Sequence, residues 1–249
     1  MRLRQVALAA HDLDPVLESL HAVLGLEVGF RDPAVKTFGL RNAVLPVGDG
    51  FLELLSPIAP DAPVARFLAR RGGDGGYMVI VQTPALAADR RRLEGLGVRV
   101  VWELALPDVA TIHLHPRDVG GALLSLDEAR PPEGWPWAGP EWRAHVRTDV
   151  VQALVGAELS SPDPARLAAR WAELLARPAR PAADGALEIG LDTSRLRFVP
   201  AAGEEALRAI DLRARDAGAR ERALQAARAR GLPVEGDAFA VAGSWVRLA

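Results

Sequence analysis

Hydrophobic and polar positions along the chain repeat one order of elements, a strand followed by an amphipathic helix and then short strands. The first copy opens with an apolar strand over 2–10. A helix follows over 11–26, where apolar residues recur at helical spacing and Gly25 closes the pattern. Strands over 38–47 and 51–57, separated by a Gly-Asp-Gly turn, complete the copy. The pattern predicts a mixed α+β fold.

The same order restarts after residue 76. Its predicted elements are a strand at 77–83, a helix at 85–97, and strands at 98–104, 109–116 and 121–128. In a third copy, the stretch SPDPARLAARWAELL echoes AHDLDPVLESLHAVL of the first, and strands at 185–192 and 194–201 follow. The predicted elements of the fourth copy are a strand at 206–216, a helix at 219–231, and strands at 237–243 and 244–249. Internal repetition of this kind predicts one structural module used four times.

Each module alone exposes one face of a curved sheet, so two modules must pair to bury or enclose it. We therefore predict a first domain over 1–128 and a second, more divergent domain over 148–249. Between them, 129–147 is rich in Pro and Trp and is predicted to be a linker. The linker contains Trp135, Trp137 and Trp142. These tryptophans either dock the linker between the domains or form a lid over a pocket.

Composition narrows the possible partners and compartments. Thirty basic and 32 acidic residues give a net charge of −2, which does not suggest a nucleic-acid partner. Apolar stretches end well before the ~18 residues of a membrane helix, so no membrane partner is expected. The apolar run at the N-terminus is too short for a signal peptide, and we expect a cytoplasmic protein. The absence of cysteine excludes a thiolate metal site and a thiol nucleophile.

Three segments carry a resemblance to a known superfamily. They are LRQVALAAHDLDPVLESLHAVLGLEV at 3–28, FLELLSP at 51–57 and LHPRDVGGALLSLDE at 114–128. Together they resemble the βαβββ module of the vicinal oxygen chelate superfamily, which includes glyoxalase I, methylmalonyl-CoA epimerase, extradiol dioxygenases and bleomycin-resistance proteins. The resemblance implies an α+β fold of four βαβββ modules paired into two glyoxalase-like domains.

The resemblance also implies where a metal would bind. In the metal-dependent members, four ligands converge from two paired modules, and in this chain those positions hold Gln5, Glu53, Met78 and Ser125. Only Glu53 is a strong ligand for a divalent ion. We therefore expect a pocket lined by these four residues, without a cofactor or a tightly bound transition metal. A divalent metal at a non-standard site stays open as an alternative.

His113 and His115 are the residues on which that alternative depends. At positions i and i+2 of a strand they would share one face and could form a two-histidine, one-carboxylate site with Glu53. Alternatively, one of them lies at the strand end and hydrogen-bonds the following turn. A third possibility is a general-base or substrate-contact role for His115, because histidine exchanges protons near neutral pH.

Glu53 is a polar residue in an otherwise apolar strand. Strand alternation places Phe51, Glu53 and Leu55 on one face, and a buried carboxylate there needs a polar partner, a cavity or water. Arg41 and Asn42 on the neighbouring strand are the expected polar neighbours. We take Glu53 and His115 as the candidate catalytic residues. The candidate substrate contacts are Gln5, Asn42, Met78, Trp102, His113 and Ser125.

In the third and fourth modules the corresponding last-strand positions hold Arg197 and Arg247. Two cations cannot chelate a metal ion. Either nearby acids such as Asp192, Asp211 or Glu158 neutralise them, or they hold an anionic ligand.

Two functions are consistent with these features. The first is an enzyme of the glyoxalase-like kind that transfers a proton next to a carbonyl group, of lyase or isomerase type, or a relative of the dioxygenases. The second is a metal-free protein that binds or sequesters a small molecule, similar to the bleomycin-resistance proteins. Both imply a small oxygenated metabolite as ligand, and a homodimer is possible. The fold hosts both activities and does not choose between them.

Overall fold

The computed structural model describes residues 1–249 and contains fifteen strands and six α-helices. Its residues form two compact units, each assembled from separate stretches of chain. The first unit comprises Met1–Arg4, Tyr77–Pro136 and Gly156–Leu207, and the second comprises Gln5–Gly76, Trp137–Val155 and Arg208–Ala249. Each unit thus takes one module from each half of the sequence. These compact units are divided differently from the predicted domains at 1–128 and 148–249, and that domain division stays a prediction.

The first module supplies most of the second unit. Its elements are β1 (Arg2–Ala9), α1 (Leu13–Leu24), β2 (Leu40–Val47), β3 (Gly50–Pro57) and α2 (Pro63–Arg71). Strand β1 pairs parallel to β3, and β2 pairs antiparallel to β3. The helix α1 begins after Asp12, whose side chain accepts a hydrogen bond from the Asp14 N–H, and ends at Gly25 with φ of 69°.

Two parts of the first module differ from the predicted pattern. The strand predicted at 38–47 begins only at Leu40, because Pro33–Phe38 form a 3₁₀ turn. A further strand of the module is reduced to one antiparallel bridge between Phe30 and Val44. The short helix α2 was not predicted, although its first-turn proline and the closing Gly72 are typical helix-boundary signals.

The second module belongs to the first unit except for the start of its first strand. Its elements are β4 (Gly75–Gln82), α3 (Leu86–Gly95), β5 (Val100–Ala105), β6 (Val109–Leu114), α4 (Pro116–Val119) and β7 (Leu123–Ala129). Strand β4 pairs parallel to β7, while β6 pairs antiparallel to both β5 and β7.

The third and fourth modules repeat this arrangement. The third contains β8 (Val151–Ser161), α5 (Pro164–Leu175), β9 (Ala179–Pro181), β10 (Leu187–Gly190) and β11 (Arg195–Pro200). The fourth contains β12 (Ala206–Ala214), α6 (Ala217–Ala229), β13 (Val234–Glu235), β14 (Ala238–Val241) and β15 (Ser244–Leu248). In all four modules the first strand pairs parallel to the last. The predicted α+β fold of repeated βαβββ modules is confirmed.

Alternation along the strands gives each sheet an apolar face and a more polar one. In β3, the fully buried Leu52 and Leu54 flank Glu53, which points to the opposite face. In β7, Leu124 and Leu126 flank Ser125 in the same way. The helices α1 and α3 contact β3 and β7, respectively. The apolar face therefore packs the core, and the opposite face carries Glu53 and Ser125.

The linker tryptophans are largely buried. Trp142 packs edge-on against Phe51 within the second unit, with ring centroids 4.9 Å apart. Trp135 lies in the first unit, where the Arg4 guanidinium is 5.3 Å from its ring centroid. These contacts show that the linker packs on the modules.

None of the helices combines the length and apolar character needed to cross a lipid bilayer. The cytoplasmic location stays a prediction.

Candidate functional site

Glu53 lies at the centre of a buried polar cluster in the second unit. Its side chain is only 8% exposed, yet both carboxylate oxygens have hydrogen-bond donors. Gln5 Nε2 donates to Oε2 at 2.7 Å, and Asn42 Nδ2 donates to Oε1 at 2.7 Å. The expected contact with Asn42 is therefore present. Arg41, the other expected neighbour, instead pairs with Asp12 and Asp14, because it points to the other face of β2.

Strand register brings these three side chains together. Glu53 on β3 lies opposite Ala7 on β1 and opposite Val44 on β2. Gln5 and Asn42 are each two residues from those partners, so all three polar side chains share one face. Phe51 shares that face as well, and Trp142 covers it. An apolar, water-poor surface thus adjoins the carboxylate.

Burial raises the pKa of Glu53 from its ordinary value of 4.5 to about 7. Hydrogen bonds from Asn42 and Gln5 oppose this rise because they favour the charged carboxylate, and the nearby charge of Asp32 adds to it. A carboxyl group with a pKa near 7 can both accept and donate a proton at neutral pH. It has the proton affinity that general acid and base catalysis requires.

The other two predicted pocket residues, Met78 and Ser125, lie in the first unit. In β4 and β7 Ile80 is opposite Ser125, so Met78, two residues before Ile80, shares the face of Ser125. The pocket that all four residues were predicted to line stays a prediction.

Ser125 belongs to a second buried polar cluster. Its hydroxyl lies 2.9 Å from Thr111 Oγ1 and donates a short hydrogen bond to the Asp127 carboxylate. All three residues are at most 2% exposed. Sequence reasoning missed Thr111 and Asp127. The signal available for Asp127 was its position two residues after Ser125, on the same face of a last strand.

The structure gives the two histidines different environments. His113 lies opposite Ser125 on β6, and its ring centroid is 4.6 Å from that of Trp102. Burial lowers the pKa of His113 to about 4, so its imidazole is neutral at pH 7. His115 follows the end of β6 and caps α4, where its Nδ1 accepts the Arg117 N–H at 3.1 Å. The strand ends at Leu114, and the capping contact supports the alternative in which one histidine lies at the strand end and hydrogen-bonds the following turn. A shared face for the two histidines stays a prediction.

The capping contact gives a prediction about His115. We expect His115→Ala to lower the free energy of unfolding by about 1 kcal/mol, because the Arg117 N–H at the start of α4 loses its side-chain acceptor. His115→Asn should retain most of that stability, since asparagine is a good N-cap residue. Urea denaturation of the three proteins measures both values. Equal losses in the two variants would show that capping is not the role of His115.

Carboxylates surround the two arginines of the second half. The Arg197 side chain donates to Glu158, Glu188 and Asp184, at 3.3, 2.6 and 2.6 Å. Arg247 Nη1 donates to Asp211 at 2.6 Å. Burial lowers the pKa of Arg197, but the bonds to Asp184 and Glu188 outweigh it and leave the pKa above its ordinary value.

These contacts support neutralisation of the arginines by acids of the chain itself. Glu158 lies directly opposite Arg197 in register, and Asp211 lies directly opposite Arg247. Asp192, the third acid that was expected to contribute, instead pairs with the N-terminal amine and Arg177. An anion site at these arginines stays a prediction, and the geometry favours the structural alternative.

The donor atoms around Glu53 do not suit a divalent metal. A metal ion needs lone pairs directed at it, whereas Gln5 and Asn42 direct N–H groups at the carboxylate. The hydroxyl of Ser125 is engaged by Thr111 and Asp127. The structure contains no group of three or more His, Cys, Asp or Glu arranged to hold a metal ion. These residues, as arranged, do not fit the metal that the superfamily implies, and metal-free function stays a prediction.

Comparison with known proteins adds to this geometry. Residues 6–175 match the family described as "Glyoxalase-like domain". The mitochondrial methylmalonyl-CoA epimerase of Bos taurus is 30% identical over 131 residues, which span 51% of this chain and 74% of the relative. The ethylmalonyl-CoA/methylmalonyl-CoA epimerase of Cereibacter sphaeroides is 28% identical over 131 residues, 51% of this chain and 97% of the relative.

A solved structure shows similarity over the whole length. A hypothetical protein from Staphylococcus aureus is 10% identical and gives a TM-score of 0.69, with 99% of this chain and 98% of that chain covered. At this identity the likeness concerns the fold alone.

Proposed function

The chain belongs to the glyoxalase-like family of the vicinal oxygen chelate superfamily, and from that premise we propose that it catalyses proton transfer at a carbon next to a carbonyl group. Glu53 is the proposed base. The observation that carries the proposal is a buried carboxylate with a pKa of about 7, held between two amide donors on the polar face of its sheet.

The proposed step needs no oxidant or reductant. Glu53 removes the proton from the carbon, the electron pair of the broken C–H bond moves into the adjacent carbonyl, and an enolate forms. Return of a proton from solvent to the opposite face of the same carbon, with release of the abstracted proton from Glu53 to solvent, completes an isomerase-type reaction. A buried carboxylate suits this step, because it is more basic than a fully solvated carboxylate.

The names of the relatives suggest the substrate class to examine first. Both act, by name, on acyl-CoA thioesters of the malonyl type. The proton next to a thioester carbonyl is the kind of proton that this chemistry requires. We propose a small oxygenated metabolite with such a proton, of which an acyl-CoA thioester is the first candidate.

Deuterium exchange tests this proposal. Methylmalonyl-CoA is incubated with the protein in D₂O containing a chelator, and deuterium at the carbon next to the thioester is followed by mass spectrometry. We expect exchange above the protein-free rate for the wild type, and loss of that exchange in Glu53→Gln. Glu94→Gln removes an exposed, helix-borne carboxylate and serves as the matched control. Wild-type protein that exchanges no deuterium would contradict catalysis on this probe.

Metal-free binding is the second candidate function. It is favoured by Met78 and Ser125, which stand at two of the positions where the resemblance places metal ligands. Isothermal titration calorimetry with methylmalonyl-CoA would then show binding in the absence of deuterium exchange. Binding without exchange separates a sequestration protein from an enzyme.

A further inference from the structure

The orientation of the Asn42 amide is set by the backbone. Its Oδ1 accepts the Asp32 N–H at 2.8 Å, and its Nδ2 donates to Glu53 Oε1 at 2.7 Å. A backbone N–H can only donate, so the carbonyl end of Asn42 must face Asp32 and the NH₂ end must face Glu53. The side chain is 3% exposed. Asn42 is therefore a donor to Oε1 whether Glu53 is charged or neutral.

A second amide contacts the other carboxylate oxygen. Gln5 Nε2 donates to Oε2 at 2.7 Å. Each oxygen of Glu53 thus has an amide donor, and a backbone group orients the donor on Oε1.

We propose that Asn42 is a positioning residue, whose backbone-fixed amide keeps a hydrogen-bond donor on Oε1 and so favours the charged, proton-accepting form of Glu53. The catalytic meaning of this inference rests on the proton transfer proposed above. Both ends of the Asn42 amide are used within the protein, so Asn42 acts on a ligand through Glu53. This differs from the direct substrate contact expected from the sequence.

The electrostatics of the site agree with this geometry. The hydrogen bond from Asn42 is the largest influence that lowers the pKa of Glu53, against the larger effect of burial. Without that donor the carboxyl group would hold its proton more tightly. At pH 7 a smaller fraction of the protein would then carry the free base.

A carboxyl titration tests the inference without any ligand. The ¹³C NMR signal of the Glu53 carboxyl is followed against pH in the full chain, for the wild type and Asn42→Leu. We expect the midpoint to rise by about one unit or more, a tenfold or greater change in proton affinity. The pH profile of deuterium exchange should shift upward by the same amount. Arg41→Leu is the matched control, since Arg41 is next to Asn42 on β2 but pairs with Asp12.

An unchanged midpoint in Asn42→Leu would overturn the inference, and Asn42→Ala makes the same measurement without added bulk if the leucine variant does not fold. The titration and the exchange assay fail separately. If the wild type exchanges no deuterium but the titration midpoint still rises in Asn42→Leu, the proposed reaction is refuted and the effect of Asn42 on Glu53 is supported. If the wild type exchanges deuterium but the Glu53 titration midpoint is unchanged in both Asn42 variants, the positioning role is refuted and the proposed reaction is not.

Discussion

Glu53→Gln is expected to stabilise the protein above pH 7 while it lowers deuterium exchange by about 10²–10⁴-fold, the usual contribution of a general base. The stability effect follows from the pKa of Glu53, which is about 7 in the folded protein and 4.5 as its ordinary value. Between these values the folded state binds more protons than the unfolded state. Stability therefore falls as pH rises from about 4.5 to 7, by roughly 3 kcal/mol in all.

The Glu53→Gln variant removes this penalty, because a neutral amide has no charge to desolvate. Urea unfolding at pH 4 to 8.5 should show the wild type losing stability across that range relative to the variant, with the largest difference above pH 7. Glu94→Gln, at an exposed carboxylate, should follow the wild-type curve. Parallel curves for the wild type and Glu53→Gln would contradict the raised pKa.

Opposite signs of the two effects make this variant informative. If Glu53 only stabilises the fold, the protein should lose stability when Glu53 is replaced. If burial of Glu53 serves catalysis at a cost in stability, the protein should gain stability and lose activity when Glu53 is replaced, as is common at functional sites. The combination is therefore a signature of a functional Glu53.

Arg197→Met is expected to lower the free energy of unfolding by about 3–5 kcal/mol, because it removes the guanidinium that pairs with a buried carboxylate. Glu158 is 4% exposed and lies opposite Arg197, and Glu188 is partly buried beside it. Asp184 is exposed to solvent, so the loss of its ion pair costs less free energy. Urea unfolding at pH 7 measures the loss.

A double variant separates charge from packing at this cluster. Arg197→Met combined with Glu158→Gln should recover much of the loss, since no unpaired charge then remains between the opposed strands. Arg91→Met, at an exposed arginine on α3, is the control and should change stability by less than about 0.5 kcal/mol. A loss of that small size in Arg197→Met would show that the cluster is not structural.

The two halves of the chain use equivalent strand positions for different purposes. In the first module, the last-strand carboxylate Glu53 contacts two neutral amides and keeps a proton affinity near neutrality. In the third and fourth modules, Arg197 and Arg247 form cross-strand ion pairs with Glu158 and Asp211. The proton transfer proposed above accordingly concerns the first half of the chain.

Local periodicity was sufficient for the order of elements in each module and for the face on which Glu53 lies. These features depend on neighbours two to four residues apart, which the sequence displays directly. The same reasoning extended the strand β6 to residue 116, whereas the strand ends at Leu114 and His115 caps the helix that follows. It also missed α2, which has only nine residues, three of them arginine.

Strand and helix periodicity predicted the repeated βαβββ order, the apolar core face of each sheet and a carboxylate on the opposite face of β3. The hydrogen bonds from Gln5 and Asn42 to Glu53 are visible only in the three-dimensional structure, as is the grouping of the four modules into units that combine the two halves of the chain. Strand alternation depends on neighbouring residues and predicts the face on which a side chain lies. Contacts between separate strands depend on register and on the packing of whole modules, which involve residues far apart in the sequence.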